Sequence, residues 1–542
     1  MGESLASLQA ELEDVLGQQS VLREQESTLR ARISAHHAAL HTTHGPQANA
    51  KASRSASAAL SLEALPTELL VRILVHLEPE ELSRCDQLSR LFHGSRSPVE
   101  QALRELDNEG ELSVPETLPS RHTNWTQALL SLAMVRRTSH QLVAATDFLG
   151  VGHSAFVDAD GTLLMCGSDT SKYPPLLGRG QESEQAIPAP IAGLEGVRVR
   201  SIAVSGAHML VLSVDGTVFS WGNGRHGVLG HGDEENVAQP KQIEALRDVC
   251  ALATGFNHTL ATTSDGALWV WGSNRGHPGN VLGNSDLGEQ QLLPRRLETL
   301  ADEQICAVTA GWFISYAACV HGGCFSWGVR KESKPSCILG RDGIGSRPLS
   351  IPQLCNERLI NISLDVFNTK VCAVTAQGVL WRWGAWTDGH VSPAHFAGTL
   401  LDSHRVVSVA LGCDHILVLT ANGAVFSWLN MAQIDRQGRA MDHLGHGDTL
   451  NKARKHLLTP RPIKALAGQR ISQIFAGRYH SIVAGFTSGA GNAPATSGQV
   501  TNAQRAYWSW GSPSASHLIL GREENRHPDK SVPHRVMGIG AT

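Results

Sequence analysis

Residues 215–233 read DGTVFSWGNGRHGVLGHGD, and this stretch is the clearest copy of a unit that recurs through most of the chain beyond residue 140. Its Asp215-Gly216 pair stands between two alternating runs, HMLVLSV before it and TVFSW after it, the strongest short-range signal for a β-hairpin. Strand, tight turn, strand is the local expectation. Trp221 then meets Gly222, whose freedom to take positive φ lets the backbone turn sharply beneath the indole before a loop begins.

Counting relatives of this stretch decides the architecture. Trp-Gly pairs stand at Trp221, Trp271, Trp327, Trp383 and Trp510, with Cys166-Gly167 and Trp428-Leu429 as degenerate copies. Spacings of about 50 residues imply a solenoid or a propeller. Turn pairs fall between these anchors at Asp160-Gly161, Asp215-Gly216, Asp265-Gly266, Gly322-Gly323, Gln377-Gly378 and Asn422-Gly423. A glycine ahead of a histidine recurs too, at Gly152-His153, Gly206 with His208, Gly255 with His258, Gly412 with His415 and Gly477 with His480; Gly311 and the stretch LDVFNTK occupy the two remaining places. The array opens on GVGHSAFVDADG, half a unit, and closes on AYWSWGSPSASHLILGREENRHPDKSVPHRV, the other half. Joined, the two halves are expected to form one shared blade that latches a closed ring without exposed sheet edges. The fold class is thus multi-domain: an N-terminal α-helical region, then an all-β seven-bladed propeller over residues 140–542. With their WG, LGHGD, proline and GxxH elements, the units resemble repeats of the regulator of chromosome condensation family.

Composition bounds the function. The chain has 542 residues, too many for one ordinary core, and its 46 basic against 50 acidic side chains give no electrostatic footprint for nucleic acid or an anionic membrane. Its ten cysteines show no paired framework, which suits reduced thiols. MGESLASLQAELEDV is too acidic for a secretory signal, and no apolar run reaches membrane length, so a soluble protein of the cytoplasm or nucleus is expected.

The region ahead of the array divides in four. In residues 1–40, Leu5, Leu8, Leu12, Val15, Leu22, Leu29 and Ile33 follow a heptad seam over residues 4–34, interrupted by Gln19 and Glu26 and weakened by Gly17. A coiled coil that makes a homodimer and a lone amphipathic helix both fit. Residues 41–60, small and polar, read as a flexible linker. Residues 61–106 carry apolar positions spaced for two or three short helices, with Pro66 and Pro79 suited to first helical turns. The stripe is more apolar than so short a bundle can hide, so a covering partner is expected. Residues 107–139 read as a helical spacer.

Leu65-Pro66, Glu68-Leu69-Leu70, Ile73-Leu74, Leu77, Pro79, Glu81-Leu82 and Leu88-Ser89-Arg90-Leu91-Phe92 resemble the F-box. The resemblance implies that Leu65, Pro66, Leu69, Leu70, Ile73, Leu74 and Leu77 form a face that docks a Skp-type linker protein, which joins a cullin scaffold and a RING subunit. The family's tryptophan after the third helix is absent here, where residues 99–106 read VEQALREL. A helical capping element that packs on the rest of the chain is the alternative reading.

No residue pattern promises catalysis. GxxxxGK[ST], GxSxG and HExxH are all missing, and no cofactor is expected. CVHGGC, from Cys319 to Cys324, lies at a predicted hairpin turn and offers too few ligands for structural zinc. His443 and His446 in DHLGHGD share that weakness, since His446 matches His231 of the clear copy. Histidines 153, 208, 258, 415 and 480 come one per blade, too far apart to share a metal, and are expected to serve structural hydrogen bonds. No metal site is therefore expected. The favoured reading is a non-catalytic substrate-recognition adaptor of a cullin-RING ubiquitin ligase, whose propeller holds a substrate protein. The alternative, from the propeller resemblance, is a nucleotide exchange factor for a Ran-like GTPase or a chromatin binder, although no basic tail suited to chromatin precedes the array. Light sensing through clustered tryptophans is a third, and only Trp312 stands at the matching places.

Overall fold

The structure is a computed structural model and describes residues 143–148, 151–168, 176–178, 184–274, 280–283, 288–328, 338–341, 345–365, 369–386, 392–396, 400–430, 443–447, 457–478, 480–487, 504–511, 531–536 and 539. The expected coiled coil, linker, F-box and spacer lie outside the described residues.

Seven four-stranded antiparallel sheets follow one another along the chain, each a simple meander of four consecutive strands. They are blades 1 (143–190), 2 (199–242), 3 (249–296), 4 (305–350), 5 (359–395), 6 (406–462) and 7 (470–535), with strands A to D in chain order. The A strands neighbour one another around the ring, and strand A of blade 7, Arg470–Ala476, lies beside strand A of blade 1, Val143–Phe148. The propeller is closed, and its A strands are innermost. Among the described residues no helix is long and apolar enough to cross a membrane.

Alternation explains the core. A strand's two faces both meet a neighbouring blade, so B strands are apolar on both sides: His208–Ser213 and His415–Thr420 are buried throughout. The large apolar clusters are shared between blades; Met165 and Leu163 of blade 1 pack with Ile202, Val211 and Trp221 of blade 2. The turn pairs lie where they were expected, between strands B and C, with Gly216 at φ 83° and Gly266 at φ 79°.

The expected shared blade is not formed. Blade 1 takes its innermost strand from Val143–Phe148, directly ahead of GVGHSAF, and the AYWSWG stretch pairs with His480–Thr487 of its own blade 7. The repeat as read from Trp-Gly to Trp-Gly is out of phase with the blade, because Trp-Gly ends strand C and glycine-before-histidine precedes strand B. Closure comes from packing instead. Phe156 and Leu164 of blade 1 cluster with Ile482, Tyr507 and Val536 of blade 7. The Phe156 and Tyr507 rings meet edge to face at 5.1 Å.

Candidate functional site

The repeated residues build one junction over and over. In blades 2 to 7 the residue opening strand B pairs with the residue after the strand C tryptophan: His208 with Gly222, His258 with Gly272, His415 with Leu429, His480 with Gly511. Opposite His258 a glycine is needed because a Cβ at Gly272 would stand 2.2 Å from the Asn257 carbonyl oxygen, at φ 116°, whereas blade 6 departs from the pattern with Leu429. Each buried indole then reaches backward one blade. Trp221 Nε1 donates to Leu176 O (2.8 Å), Trp271 to Val228 O (2.7 Å), Trp327 to Val281 O (2.9 Å), Trp383 to Ile338 O (3.0 Å) and Trp510 to His443 O (2.7 Å). Every acceptor is the first residue of an x-Leu-Gly triplet in the loop between strands C and D.

The histidines complete the junction. His208 Nε2 lies 3.4 Å from Thr259 Oγ1 of the next blade, His258 Nε2 2.7 Å from Ser315 Oγ, and His415 Nε2 2.9 Å from Ser481 Oγ. Burial holds His208 neutral, with its pKa lowered to about 3. The histidine of LGHGD has a local duty: His231 Nε2 lies 3.0 Å from Ser220 Oγ and His446 Nε2 2.9 Å from Ser427 Oγ, while in blade 4 Arg341 Nε donates to Ser326 Oγ at 3.1 Å. His208, His231, His258 and His446 are held in the junctions by these contacts.

Sites are therefore sought where copies diverge, and blades 5 and 6 diverge most. In blade 5 Lys370 stands in the histidine's place, paired with Gly384. Asp365 takes the glycine's place, and its carboxylate accepts from Thr369 N (2.6 Å), Thr369 Oγ1 (2.7 Å) and Lys370 N (2.9 Å). Burial raises the Asp365 pKa against those donors and lowers that of Lys370 against the pull of Asp365. Lys370 Nζ, itself buried, donates to Asn430 Oδ1 of blade 6 at 3.2 Å. Trp386, absent from other copies, packs beneath Arg382 at 5.3 Å from ring centroid to guanidinium, and its Nε1 donates to Trp383 O at 2.9 Å.

In blade 6 the loop before strand B supplies Asp414, and the x of x-Leu-Gly is His443. Asp414 Oδ1 lies 3.0 Å from His443 Nε2 and 3.7 Å from His415 Nδ1, and the His415 and His443 rings are 4.5 Å apart. Burial pulls the Asp414 carboxyl upward, but the contacts with His415 and His443 win and hold it well below the usual carboxylate range. Burial, and then the neighbouring His443, lowers His415 to about 4. Asp414 is a carboxylate and His415 a neutral imidazole at neutral pH. Sequence reading missed this trio because His443 was weighed against His446 rather than against His415, 28 residues away in the chain but adjacent across the junction.

On the same face, the loops before strand B of blades 3 and 4 present Phe256, Trp312 and Phe313. Their centroids are 5.7 Å (Phe256–Trp312), 6.5 Å (Phe256–Phe313) and 6.3 Å (Trp312–Phe313) apart, and all three are half-buried. The matching places hold Gly206 and Ala207 in blade 2, Cys413 and Asp414 in blade 6, and Arg478 and Tyr479 in blade 7. The CVHGGC cysteines form no such group: Cys319 and Cys324 are buried thiols whose pKa values burial pushes far up, and Cys319 donates to Glu303 at 3.4 Å. The eight described cysteines are all free. Leu65, Pro66, Leu69, Leu70, Ile73, Leu74 and Leu77 lie outside the described residues.

Fold and junctions together define a seven-bladed β-propeller built from a tryptophan-clasped repeat. The repeat has a known counterpart: residues 215–262 and 442–484 match the regulator of chromosome condensation (RCC1) repeat, and a second description of that repeat matches 199–228 and 249–276. Residues 62–95 match the F-box-like description. The chain thus carries an F-box-like segment followed by a propeller of regulator-of-chromosome-condensation repeats. It is similar to the ultraviolet-B receptor UVR8 of Arabidopsis thaliana, 29% identical over 311 residues that make up 54% of this chain and 66% of that protein. It is also similar to the E3 ubiquitin-protein ligase HERC2 of Mus musculus, 32% identical over 343 residues, 60% of this chain and 6% of that protein. The chain spans just under two thirds of the first relative and a small part of the second. Among solved structures, Prp20p from Saccharomyces cerevisiae superposes with a TM-score of 0.51 at 20% identity, over 74% of this chain and 87% of that one, which shows the fold.

Proposed function

We propose that the protein is a substrate-recognition adaptor of a cullin-RING ubiquitin ligase, working in the cytoplasm or nucleus. The observation that carries this reading is an F-box-like segment at 62–95 on the same chain as a closed propeller. A short leucine-rich bundle that cannot cover its own apolar face needs a partner, and a Skp-type linker is the partner the segment implies. A rigid ring suits recognition in such an adaptor, because loops on a stiff scaffold hold a bound protein in one pose, and proximity to the ubiquitin-charged enzyme supplies most of the effect. The half-buried Phe256, Trp312 and Phe313, on loops held by the ring, are the recognition surface this reading favours. The name of the similar HERC2 places another protein with this repeat in ubiquitin ligation.

Co-purification from cells tests the proposal. The intact protein should recover the linker and the cullin, and Pro66→Ala with Leu69→Ala should abolish recovery while the propeller's unfolding transition is unchanged. Recovery of neither partner sinks the adaptor reading. A second reading, nucleotide exchange on a Ran-like GTPase or chromatin binding, draws on the likeness to Prp20p, whose structure is described together with its binding to Gsp1p and histones. It requires residues 140–542 to accelerate nucleotide release from such a GTPase or to retain nucleosomes; the adaptor reading expects neither.

A further inference from the structure

Three positions that are ordinary scaffold in other blades become ligands together in blade 6. In blade 2 they are Ala207, His208 and Val228; in blade 6 they are Asp414, His415 and His443. The shared hydroxyl of the next blade fixes the proton on His415. Ser481 Oγ donates its one hydrogen to His443 O at 3.0 Å, so toward His415 Nε2, 2.9 Å away, it accepts. Nε2 therefore carries the proton, and Nδ1 turns a bare lone pair toward the Asp414 carboxylate 3.7 Å away. In blade 2 a hydroxyl stands against the equivalent nitrogen, Ser205 Oγ at 2.7 Å from His208 Nδ1; in blade 6 that place is Gly412. The Asp414 carboxylate, His415 Nδ1 and His443 Nε2 thus converge in a largely buried pocket, an arrangement that suits a cation held between them.

The spacing suits one ion. Ligand atoms about 2.0–2.1 Å from a tetrahedral zinc stand roughly 3.3–3.4 Å apart. Asp414 Oδ1 is 3.0 Å from His443 Nε2 and 3.7 Å from His415 Nδ1, and all three atoms lie within 4.8 Å of one another. Among the described residues no other trio of ligating side chains converges in this way. We infer that Asp414, His415 and His443 form a binding site for a divalent transition-metal ion of the zinc type, with a fourth position open to water beside the partly exposed Asp414. Two imidazoles and one carboxylate favour zinc over magnesium or calcium, which prefer all-oxygen sites. Ser481 is the positioning residue: it orients His415 through Nε2 and His443 through its carbonyl, as an outer partner orients a ligating histidine. The ion ties the loop that carries His443 to the start of strand B. The inference stands apart from the adaptor reading.

The full-length protein, stripped with a chelator and titrated with Co²⁺, tests the site. A saturable visible d–d band of four-coordinate cobalt at a single equivalent, displaced by Zn²⁺, is expected. X-ray absorption of the zinc form should show a first shell of nitrogen and oxygen without sulfur. Asp414→Asn and His443→Gln should each abolish the band, Ser481→Ala should weaken binding about 10–100-fold, and His231→Gln should bind as the wild type does. No saturable band in the wild type, sulfur in its first shell, or an undiminished band in both ligand variants overturns the site. Should a ligand variant fail to fold by circular dichroism, the wild-type cobalt spectrum and first shell still decide.

Discussion

The Tyr507 hydroxyl of blade 7 donates to the backbone carbonyl of Val157 in blade 1, across the seam where the ring closes. Arg505 supports it, with its guanidinium 3.2 Å from the same carbonyl and 2.6 Å from that of Asp158. The first and last blades are thus joined by side chains rather than by a shared strand. Tyr507→Phe should cost about 1 kcal/mol, because Arg505 still satisfies the carbonyl. Tyr507→Phe with Arg505→Ala should cost more than the sum of the two single changes, because the second loss leaves a buried acceptor bare. Urea midpoints of the four proteins check this. Deleting residues 505–542 removes strands C and D of blade 7 and should abolish cooperative unfolding of the ring, whereas deleting residues 1–50 should leave its midpoint in place.

The clasp between blades makes a separate prediction about glycines. A Cβ at Gly230, φ 77°, would lie 3.0 Å from Trp271 Nε1, while one at Gly468, φ 82°, would meet nothing within 4 Å. Both Gly→Ala changes bear the backbone strain of the left-handed region, about 1 kcal/mol. Only Gly230→Ala also presses on the indole that bonds Val228. Thermal unfolding should show Gly230→Ala the more damaging by at least about 1 kcal/mol; equal losses would mean that the contact relaxes freely.

Particular residues mark what could be read in advance. Trp221, Trp271, Trp327, Trp383 and Trp510 announced the blades because a residue that must meet both a glycine and a neighbour's loop cannot drift. The phase of the blade was not legible: Trp-Gly is the loudest signal in the repeat, but it ends strand C, and the quiet stretch Val143–Phe148 supplies an innermost strand with no marker of its own. The trio in blade 6 was hidden for a different reason. His443 sits in the loop between strands C and D while His415 opens strand B, and only the junction between strand B and the x-Leu-Gly triplet brings them together. Lys370 was passed over likewise, since LDVFNTK looks like a lost repeat until Asp365 is seen taking the glycine's role.

The buried histidines should make the ring acid-labile above the ordinary carboxylate range. His208 has a folded pKa of about 3 and His415 of about 4, both below the usual value of 6.5. Below 6.5 the unfolded chain takes up protons that the folded chain refuses, so the stability present above pH 6.5 is lost progressively as pH falls toward 4. Each histidine contributes about 1.4 kcal/mol per pH unit once well inside that window. Asp365, raised by burial, acts in the opposite sense as it protonates and softens the loss. Urea midpoints at pH 7.5 and pH 5 should differ markedly in the wild type and less in His208→Gln. A wild type with the same midpoint at both values would contradict the buried neutral state of these side chains.

Recognition by the propeller should be separable from docking of the ligase. Trp312 packs at a tilt against Phe256 and edge to face against Phe313, on loops that lead into fully buried strands, so its truncation removes a surface without disturbing the junctions below. Central aromatic anchors typically cost 2 kcal/mol or more when cut to alanine, about a thirtyfold loss of affinity. Trp312→Ala with Phe313→Ala should therefore deplete the proteins captured by proximity labelling through the propeller, while recovery of the Skp-type linker stays at the wild-type level. Pro66→Ala with Leu69→Ala should give the reverse pattern, with capture retained and the linker lost. If the aromatic variant keeps every captured protein, recognition lies elsewhere on the ring, and the divergent blade 5 around the half-buried Arg382 becomes the next place to cut.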